Sequence, residues 1–482
     1  MPVPMQTTWC TDMSIDGDQV TGESSLIVVH DPATELELAR VRGASEVQID
    51  RAARAARQAF RSPAWRDPDH RSHVLGLMAD VIEQHAELLT ASVVHEVGTP
   101  ISLARPLQVQ EPINLLRSFA RLTRVGAPKH LGPADGPIRS DATVNYRPSG
   151  VVAAITAYNY PLLFAAVKVG AAFAAGCTVV LMPSPQTPLS TLLLARLWQE
   201  AGVPRGVLNV IVGDSAAGRA LTTHPEVNKI SFTGSIEVGR TVMGQAAHGL
   251  KRVVLELGGK SPSLVLPGVD IGPLTEQLHA RYIRNAGQGC SSPTRLLIHE
   301  SQVGVFLERS REVLAAMKVG DPWDPAVVAG PLISSQHRSR VEGYVVRAVG
   351  AGGRVAAGGG RPDIDRGWYM NPVLVDGVDN RSEIAQEELF GPVGVVLPYR
   401  TVDEAVAIAN DSRYGLAATV YGDPDEARAV APRLEAGTVM INGWMLRMDA
   451  PSGGLKMSGM GREVGEEGVR EFLETQLVAW PA

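Results

Sequence analysis

The sequence predicts an α/β protein built on a doubly wound parallel sheet, with a second α/β domain and a small β ribbon. Its 482 residues are too many for one hydrophobic core, so two or three domains are expected. From about residue 150, strand-like and helix-like runs alternate, which is typical of a parallel sheet covered by helices. Two further strand-like pieces, 139–147 and the tail from about residue 470, fall outside that alternation.

The first clear element is an amphipathic helix that begins after residue 45. Ser45 and Gln48 have the spacing of a capping box, and apolar residues from Ile49 to Phe60 recur on one helix face. This helix precedes the alternating region.

The alternating elements follow in chain order. We predict strands at 150–155, 178–182, 207–212 and 252–257 and one ending at Phe232, with helices at 161–175, 188–201, 215–222 and 236–247. A second alternating region starts after residue 260, with strands near 263–266 and 295–298. The two outlying strands are expected to form a ribbon that pairs elsewhere, with another subunit as one option.

The longest apolar stretch, 161–182, has the length of a membrane span. Lys168 interrupts this stretch and Gly176 breaks it. Its first part is rich in alanine, and its second part is rich in β-branched residues. A buried helix that leads into a buried strand is therefore the preferred interpretation.

Composition excludes several classes of function. The net charge of -6 and the absence of a Lys/Arg-rich run argue against a nucleic-acid partner. Three cysteines, Cys10, Cys177 and Cys290, cannot form a disulfide framework, which favours a reducing, cytoplasmic location. No metal-ligand spacing occurs, and residues 1–19 lack the pattern of a signal peptide, so we expect neither a metal nor a membrane partner.

Loops at the carboxyl ends of the predicted strands are the expected ligand-binding places. They cover 156–161, 213–218, 232–235 and 256–260. Gly213 and Gly234 each lie between a strand and a helix, where glycine lets backbone N–H groups approach a phosphate or is needed for steric reasons alone. Together they favour a dinucleotide, although the usual GxGxxG pattern is missing.

Three residues have both a structural and a chemical interpretation when each is taken singly. Asn159 suits a turn before Pro161. Glu256, at the mouth of an apolar strand, is a surface carboxylate or a base with a raised pKa. Cys290 is a small buried hydrophobe or a nucleophile on a glycine-rich loop.

Six short motifs occur in a fixed order along the chain: YNYP at 158–161, FTGS at 232–235, ELGGK at 256–260, GQGC at 287–290, EELFGP at 387–392 and GREVGEEG at 461–468. With them, the chain resembles the aldehyde dehydrogenase superfamily from residue 31 to about residue 478. The resemblance implies a Rossmann-like NAD-binding domain at 17–125 and 149–258, a catalytic domain at 259–458, and an oligomerisation segment at 126–148 and 470–482.

The resemblance also implies the chemistry. Cys290 would attack the aldehyde to give a thiohemiacetal, with the Asn159 amide and the Cys290 N–H holding the oxyanion. Hydride transfer would leave a thioester, and Glu256 would activate the water that hydrolyses it. Lys168 and Glu463 match residues that help relay protons from that base.

Cofactor contacts follow from the same match. The residues that it implies are Thr156, Ala157, Tyr158, Gly213, Phe232, Thr233, Gly234, Ser235, Leu257, Glu388 and Phe390. Met182 and Pro185 replace a lysine and a glutamate that bind the adenosine ribose in the family, a loss of about 1–3 kcal/mol of binding free energy. We therefore expect NAD rather than NADP, bound weakly.

The substrate mouth departs from the family as well. Arg284 stands where many relatives have an aromatic residue, and relatives that act on succinate semialdehyde have an arginine there. Their second arginine is absent, since that position is Val167. Tyr160 and Ser452 are further substrate candidates, and Arg447 is a nearby positive charge. An acidic semialdehyde is one candidate substrate, and an outward-facing or ion-paired Arg284 is the alternative.

Two rival functions remain. A CoA-acylating relative would release an acyl-CoA, which Glu256 argues against because a water-activating base serves hydrolysis. A catalytically inactive protein on this fold is the second rival, favoured by the altered 182–185 stretch. A homodimer or homotetramer is expected, and the sequence does not name the aldehyde.

Overall fold

The computed structural model describes residues 9–134, 137–443, 447 and 449–481. Residues 1–8, at the start of the stretch that lacks a signal-peptide pattern, lie outside this range, as do residues 135, 136 and 482 of the predicted oligomerisation segment. The described strands are β1 (Met13–Ile15), β2 (Asp18–Val20), β3 (Leu26–His30), β4 (Glu37–Arg42), β5 (Lys129–His130), β6 (Ser140–Pro148), β7 (Val151–Ile155), β8 (Thr178–Met182), β9 (Leu208–Val210), β10 (Val227–Thr233), β11 (Arg252–Glu256), β12 (Pro262–Val265), β13 (Arg295–His299), β14 (Arg354–Gly358), β15 (Val373–Asp376), β16 (Val393–Tyr399), β17 (Ala417–Tyr421), β18 (Thr438–Ile441), β19 (Gly459–Met460) and β20 (Leu473–Pro481).

The described α-helices are α1 (Glu46–Phe60), α2 (Pro63–Arg66), α3 (Pro68–Gln84), α4 (Ala86–Val97), α5 (Ile101–Leu103), α6 (Glu111–Arg121), α7 (Pro161–Ala175), α8 (Leu189–Glu200), α9 (Ser215–Thr223), α10 (Ile236–His248), α11 (Ile271–Ile283), α12 (Val303–Ala316), α13 (Ser335–Gly350), α14 (Glu383–Gln386), α15 (Val402–Asn410), α16 (Pro424–Val430) and α17 (Gly465–Arg470). A π-helical segment, Ala104–Gln110, joins α5 to α6. Both hydrogen bonds of the predicted Ser45–Gln48 capping box are present at the start of α1.

The first sheet is doubly wound. Its strand order is β19-β11-β10-β7-β8-β9-β1-β2, and the five strands from β11 to β9 are parallel. The chain winds outward from β7 to β9 and then returns to β10 on the other side of β7. Such a reversal opens a crevice at the carboxyl ends of the strands on either side of it. The fold predicted for this region is therefore confirmed.

The predicted boundaries in this region agree closely with the structure. The helix at 161–175 and the strand at 178–182 have the predicted limits, whereas β9 is shorter than the predicted 207–212. Nearly every residue of α7 is buried, so its apolar character comes from packing inside the protein. No helix among the described residues has both the length and the hydropathy needed to cross a membrane.

The second sheet has the order β14-β15-β16-β13-β12-β17-β18. Its strands from β15 to β18 are parallel, and β14 closes one edge in the antiparallel sense. Separate hydrophobic clusters cover its two faces, as expected for a parallel sheet that is buried on both sides. The Cys290 loop immediately precedes β13, so this sheet carries the predicted nucleophile.

The two outlying strands form a ribbon. β6 and β20 pair antiparallel over nine consecutive residue pairs, from Leu473↔Pro148 to Pro481↔Ser140, and β5 adds a short third strand. The expected ribbon is therefore present within one chain, and its pairing with another subunit stays a prediction. The outer edge of β20 has no strand beside it among the described residues.

Candidate active site

The Cys290 loop makes an unusual backbone turn. Asn285, Ala286 and Gly287 all have left-handed φ values, 53°, 54° and 73°. A Cβ on Gly287 would lie 2.1 Å from the carbonyl oxygen of Gly391, so a glycine is required there by packing against the 387–392 segment. The turn leaves Cys290 half-buried.

The thiol of Cys290 lies among groups that disfavour its ionisation. Burial is the largest cause, and the carboxylates of Glu388 and Glu256 add to it, raising the pKa of Cys290 to about 12. Because the thiolate is the nucleophile, the thiol needs a proton acceptor or a positive charge before it attacks. Glu256 and Glu388, both predicted site residues, are therefore close enough to act on the sulfur electrostatically.

Asn159 lies in the loop after β7 and is bonded to the Cys290 loop. Its Nδ2 donates to the carbonyl of Gln288 at 2.8 Å, and only 1% of the residue is exposed. One Nδ2 hydrogen is used in this bond, and the second is free to donate to another acceptor. The structure therefore brings two of the predicted residues, 159 and 290, together from opposite sheets.

Glu256 ends β11, as predicted for a residue at a strand mouth. Its Oε1 has no hydrogen-bond partner, and a Cβ on Gly453 would lie only 2.9 Å from that oxygen. Burial and the negative charge of Glu463 raise the pKa of Glu256 well above its usual value, against the opposing charges of Lys168 and Arg462. A carboxyl group with a raised pKa is suited to accept a proton near neutral pH.

Behind Glu256 lies a buried ion pair. Lys168 Nζ, from α7, is 2.6 Å from Glu463 Oε1, and the Ser231 Oγ lies 2.9 Å from Nζ and 3.2 Å from Oε1. Lys168 is 1% and Glu463 6% exposed, so both members of the pair are buried. The pair explains how a lysine is accommodated within the apolar helix α7.

Glu388 and Phe390 lie on the other side of Cys290. The Glu388 Oε1 accepts a hydrogen bond from Gly259 N at 3.0 Å, and burial raises the Glu388 pKa to about 7. A Cβ on Gly258 would lie 2.0 Å from Oε2, and one on Gly259 would lie 2.3 Å from the Cys290 carbonyl oxygen. The two glycines of ELGGK therefore allow Glu388 and the Cys290 loop to approach β11 closely.

The remaining predicted cofactor residues follow the carboxyl edge of the first sheet. Thr156 follows β7, Thr233 is the last residue of β10, and Gly213 comes after β9. Four strand intervals of about 4.8 Å separate β11 from β9, roughly 19 Å in all. The buried hydroxyls of Thr156 and Thr233 have no hydrogen-bond partner in the part of the chain that the structure describes. An elongated ligand with hydrogen-bonding groups fits this edge. The predicted cofactor residues include residues at both ends of the edge.

The other predicted cofactor residues contact neighbouring groups of the protein. Gly234 N donates to the Glu256 carbonyl at 3.1 Å, and Ser235 caps α10 through Val238 N. Phe232 packs under Gly234 and Leu257 under Gly239, so both glycines have a steric reason. Ala157 is half-buried, and the Tyr158 hydroxyl donates to Gln288 Oε1 at 3.0 Å beside the Phe390 ring.

Met182 ends β8 on the same edge. Its methyl group is 3.9 Å and 3.8 Å from the positions that Cβ atoms would take on Gly213 and Gly218, and 5% of the residue is exposed. Pro185 is exposed in the following turn. An apolar side chain therefore lies at this end of the edge, where the resemblance implies a lysine.

The candidate substrate residues lie at the mouth of the site. Arg284 is half-buried, forms no ion pair with any described residue, and its charge lowers the Tyr160 pKa, which burial raises to about 12. Ser452 is exposed and exchanges two 2.7 Å backbone hydrogen bonds with Glu463. Arg447 instead pairs with Asp449, so the interpretation of Arg447 as an available charge is wrong.

Several buried polar residues at the site were not predicted from the sequence. They are Thr99, Gln108, Ser231, Asn285 and Gln288, each 2% exposed or less. Ser231 could have been found, because it precedes Thr233 by two residues on one strand and so shares its face. Thr99 and Gln108 give no such signal, since Thr99 reaches the site from the loop after α4 and Gln108 from the π-helical segment before α6.

Comparison with known proteins agrees with this geometry. The sequence model described as the aldehyde dehydrogenase family matches residues 19–478. A geranial dehydrogenase from Castellaniella defragrans is 41% identical, over 91% of this chain and 92% of that protein. An aldehyde dehydrogenase from Enchytraeus buchholzi is 39% identical, over 96% and 93% of the two chains.

Solved structures are similar over the whole chain as well. A mutant of aldehyde dehydrogenase C from Pseudomonas syringae, in complex with NAD⁺ and octanal, has a TM-score of 0.91 and 37% identity, covering 97% of this chain and 96% of that one. The NAD⁺ complex of an aldehyde dehydrogenase from Bacillus cereus has a TM-score of 0.95 and 34% identity, covering 100% and 99%.

Proposed function

Because the chain belongs to the aldehyde dehydrogenase family, we propose that it oxidises an aldehyde to the carboxylic acid through a covalent intermediate on Cys290, with NAD as cofactor. The observation that carries the proposal is the convergence of Cys290, Asn159 and Glu256 from two separate sheets. The hydrogen bond between Asn159 and the Cys290 loop and the electrostatic influence of Glu256 on the thiol both support it.

Each residue then has a defined task. Cys290 loses its thiol proton to solvent water, and Sγ then forms a bond to the aldehyde carbon while the second Nδ2 hydrogen of Asn159 stabilises the oxyanion of the thiohemiacetal. NAD, when bound, supplies the hydride acceptor. Glu256 accepts a proton from the water that attacks the resulting thioester, which releases the acid and restores the thiol.

The cofactor fits the edge of the first sheet. Thr156 and Thr233 offer two buried unpaired hydroxyls, and Glu388 is held by Gly259 with its second carboxylate oxygen free for a ribose hydroxyl. Met182, an apolar side chain at the far end of this edge, offers the extra phosphate of NADP no basic partner. We therefore expect the site to prefer NAD to NADP and to bind NAD weakly. Dissociation constants for both cofactors, measured by titration calorimetry, test this, and tighter binding of NADP would contradict it.

An aldehyde panel with product analysis tests the reaction itself. We expect reduced cofactor and one equivalent of acid, with no requirement for CoA. Cys290→Ser should abolish the reaction, while Cys10→Ser, at a half-buried cysteine remote from the site, should not. An acyl-CoA product would support the CoA-acylating alternative, and no turnover on any aldehyde would support the inactive one.

The substrate class rests on Arg284. Its half-buried guanidinium without an ion pair among the described residues favours an aldehyde that carries a carboxylate, such as a semialdehyde. The names of the relatives favour the alternative, an apolar aldehyde, since one acts on geranial and another was solved with octanal. Arg284→Ala should lower kcat/KM for semialdehydes only. Equal losses for both classes would exclude carboxylate recognition.

Three coarser properties complete the proposal. The three cysteines are free thiols, which supports a cytoplasmic location. The ribbon of β6 and β20 supports a homodimer or homotetramer. The domain limits 17–125 with 149–258, 259–458, and 126–148 with 470–482 are supported by the division of most strands among the three larger of the four sheets.

A further inference from the structure

Asn285 begins the left-handed turn that precedes Cys290. Asparagine tolerates the left-handed region better than most residues, but Ala286 follows it with φ 54° and has no such advantage. Two consecutive non-glycine residues in this region persist only where their surroundings hold them. The contacts of the Asn285 side chain provide that restraint, and they lead to Asn159.

The side-chain amide of Asn285 is fixed in one orientation. The Asn159 carbonyl can only accept a hydrogen bond, so the Nδ2 of Asn285 must face it, and the Oδ1 then accepts from Thr99 Oγ1 at 2.9 Å. The Nδ2 then donates to the Asn159 carbonyl at 3.3 Å. Thr99 is 0% and Asn285 2% exposed, so both side chains lie away from bulk solvent.

Asn159 is therefore tied to the Cys290 loop in both directions. Its backbone carbonyl accepts from Asn285, and its side-chain Nδ2 donates to the Gln288 carbonyl at 2.8 Å. Gln108 Nε2 also donates to the Asn159 carbonyl, at 3.2 Å. These bonds set where the free Nδ2 hydrogen lies relative to the backbone N–H and sulfur of residue 290.

We propose that Asn285 is a positioning residue, which holds the oxyanion-binding amide of Asn159 in place against the Cys290 loop. The proposal rests on the proposed function, because it requires Asn159 to stabilise the oxyanion. Asn285 does not touch the substrate carbonyl itself. Its loss should therefore slow formation and collapse of the thiohemiacetal while the thiol stays accessible and NAD still binds.

Three variants of the full-length enzyme separate the amide from the backbone strain. Asn285→Asp keeps the size and the tolerance of a left-handed φ but faces the Asn159 carbonyl with an acceptor. Asn285→Gly keeps only the backbone freedom. Ala286→Gly relieves the strain in the same turn and leaves the amide intact. The exposed Asn114→Asp serves as the matched control.

We expect kcat to fall about 10- to 100-fold in both Asn285 variants. A catalytic group that is misplaced by about 1 Å can cost about 100-fold in rate. Ala286→Gly should lose much less. The KM for NAD and the rate of Cys290 alkylation by iodoacetamide should not change. The deuterium isotope effect with a 1-deuterated aldehyde should increase, because hydride transfer becomes more rate-limiting.

Two results would overturn the proposal: a wild-type kcat in Asn285→Asp, or a parallel loss of kcat and alkylation rate, which indicates a collapsed loop. Should both Asn285 variants fail to fold, Thr99→Val removes only the hydrogen bond that holds the Asn285 Oδ1 and should show the same kinetic pattern to a smaller degree. Cys290→Ser and Asn159→Ala, assayed alongside, test the proposed function separately, since activity in both would contradict that function whatever Asn285 does.

Discussion

Glu256 offers the sharpest separation of the two halves of the proposed reaction. If it acts on water, Glu256→Gln should still form the acyl-enzyme, because Cys290 and Asn159 are intact. We expect a burst of one equivalent of reduced cofactor, followed by turnover about 10²–10⁴-fold below wild type. Stopped-flow absorbance measures both phases, with the exposed Glu237→Gln as control. Loss of the burst as well would assign Glu256 to deprotonation of the thiol instead.

The ion pair behind Glu256 predicts opposite pH shifts for its two members. Burial and Glu463 raise the Glu256 pKa, whereas Lys168 lowers it. A general base works only when it is ionised, so hydrolysis should increase as pH rises through that pKa. Glu463→Gln should move this rise to lower pH, and Lys168→Met should move it to higher pH. Profiles of the steady-state rate measure both, and shifts in the same direction would contradict the assignment.

Single residues show where prediction from the sequence succeeds and where it ends. Asn159 and Glu256 lie in short motifs at strand ends, so the predicted sheet already places them at one edge, and Cys290 lies in a motif before a strand of the other sheet. Asn285 and Gln288 stand in the same quoted stretch as Cys290, but their roles depend on a left-handed turn that no periodicity encodes. Arg447 was misjudged because its partner, Asp449, is two residues away and neutralises it.

Among the elements, the alternating region was predicted almost residue for residue. Helix α7 and strand β8 are long and apolar, and Gly176 separates them. The local sequence is therefore enough to predict where each element begins and ends. The π-helical segment Ala104–Gln110 was not anticipated, since neither its sequence nor its length differs from that of an ordinary helix. It nevertheless carries Gln108 to the Asn159 carbonyl.

Helix α8 has an N-terminal cap from another helix, which makes a testable contribution to stability. Its own N-cap, Pro188, has no side-chain hydrogen bond, and Glu96 of α4 accepts instead from Leu189 N, from Ser190 N at 3.0 Å and from Ser190 Oγ at 2.6 Å. Glu96→Ala leaves these buried donors unpaired, so we expect a loss of about 1–3 kcal/mol in the free energy of unfolding. Denaturant unfolding followed by circular dichroism measures it.

The same carboxyl group predicts a dependence on pH. Burial raises the pKa of Glu96 to about 7 from an ordinary value of 4.5, although its hydrogen bonds oppose the shift. A folded-state pKa above the unfolded one stabilises the protein fully below pH 4.5, and the contribution is lost as pH rises through 7. The Tm of wild type minus that of Glu96→Gln should therefore decrease between these limits. A constant difference would contradict the raised pKa.

At the scale of the whole molecule, function depends on how two parallel sheets meet. The loops after β7, β10 and β11 bring Asn159, Thr233 and Glu256 to one edge, and the loop before β13 of the other sheet supplies Cys290. Strand alternation predicts each sheet, but the contact between Asn159 and Gln288 requires their relative placement, which depends on packing across the whole chain. The predicted domain limits stay predictions, since sheet membership alone does not fix them.

The ribbon carries the prediction for assembly. β20 lies at the edge of its sheet among the described residues, and Leu477, Val478 and Trp480 are 64%, 43% and 41% exposed. A long, apolar edge strand that is exposed to water tends to pair with a strand of another chain. We therefore expect a second copy of this protein to cover β20.

Leu477→Lys places a charge on this edge strand, a device that blocks edge pairing. We expect association to weaken at least about tenfold, a cost of 1.4 kcal/mol. Sedimentation velocity over a range of protein concentrations measures it. Val47→Lys is the matched control, because Val47 is 76% exposed on α1 and far from β20 in the fold. Cofactor binding should survive in the dissociated chain, since the edge that holds Thr156, Thr233 and Gly213 belongs to the first sheet. A monomeric wild type, or a variant that sediments as the wild type does, would show that the ribbon is not the interface.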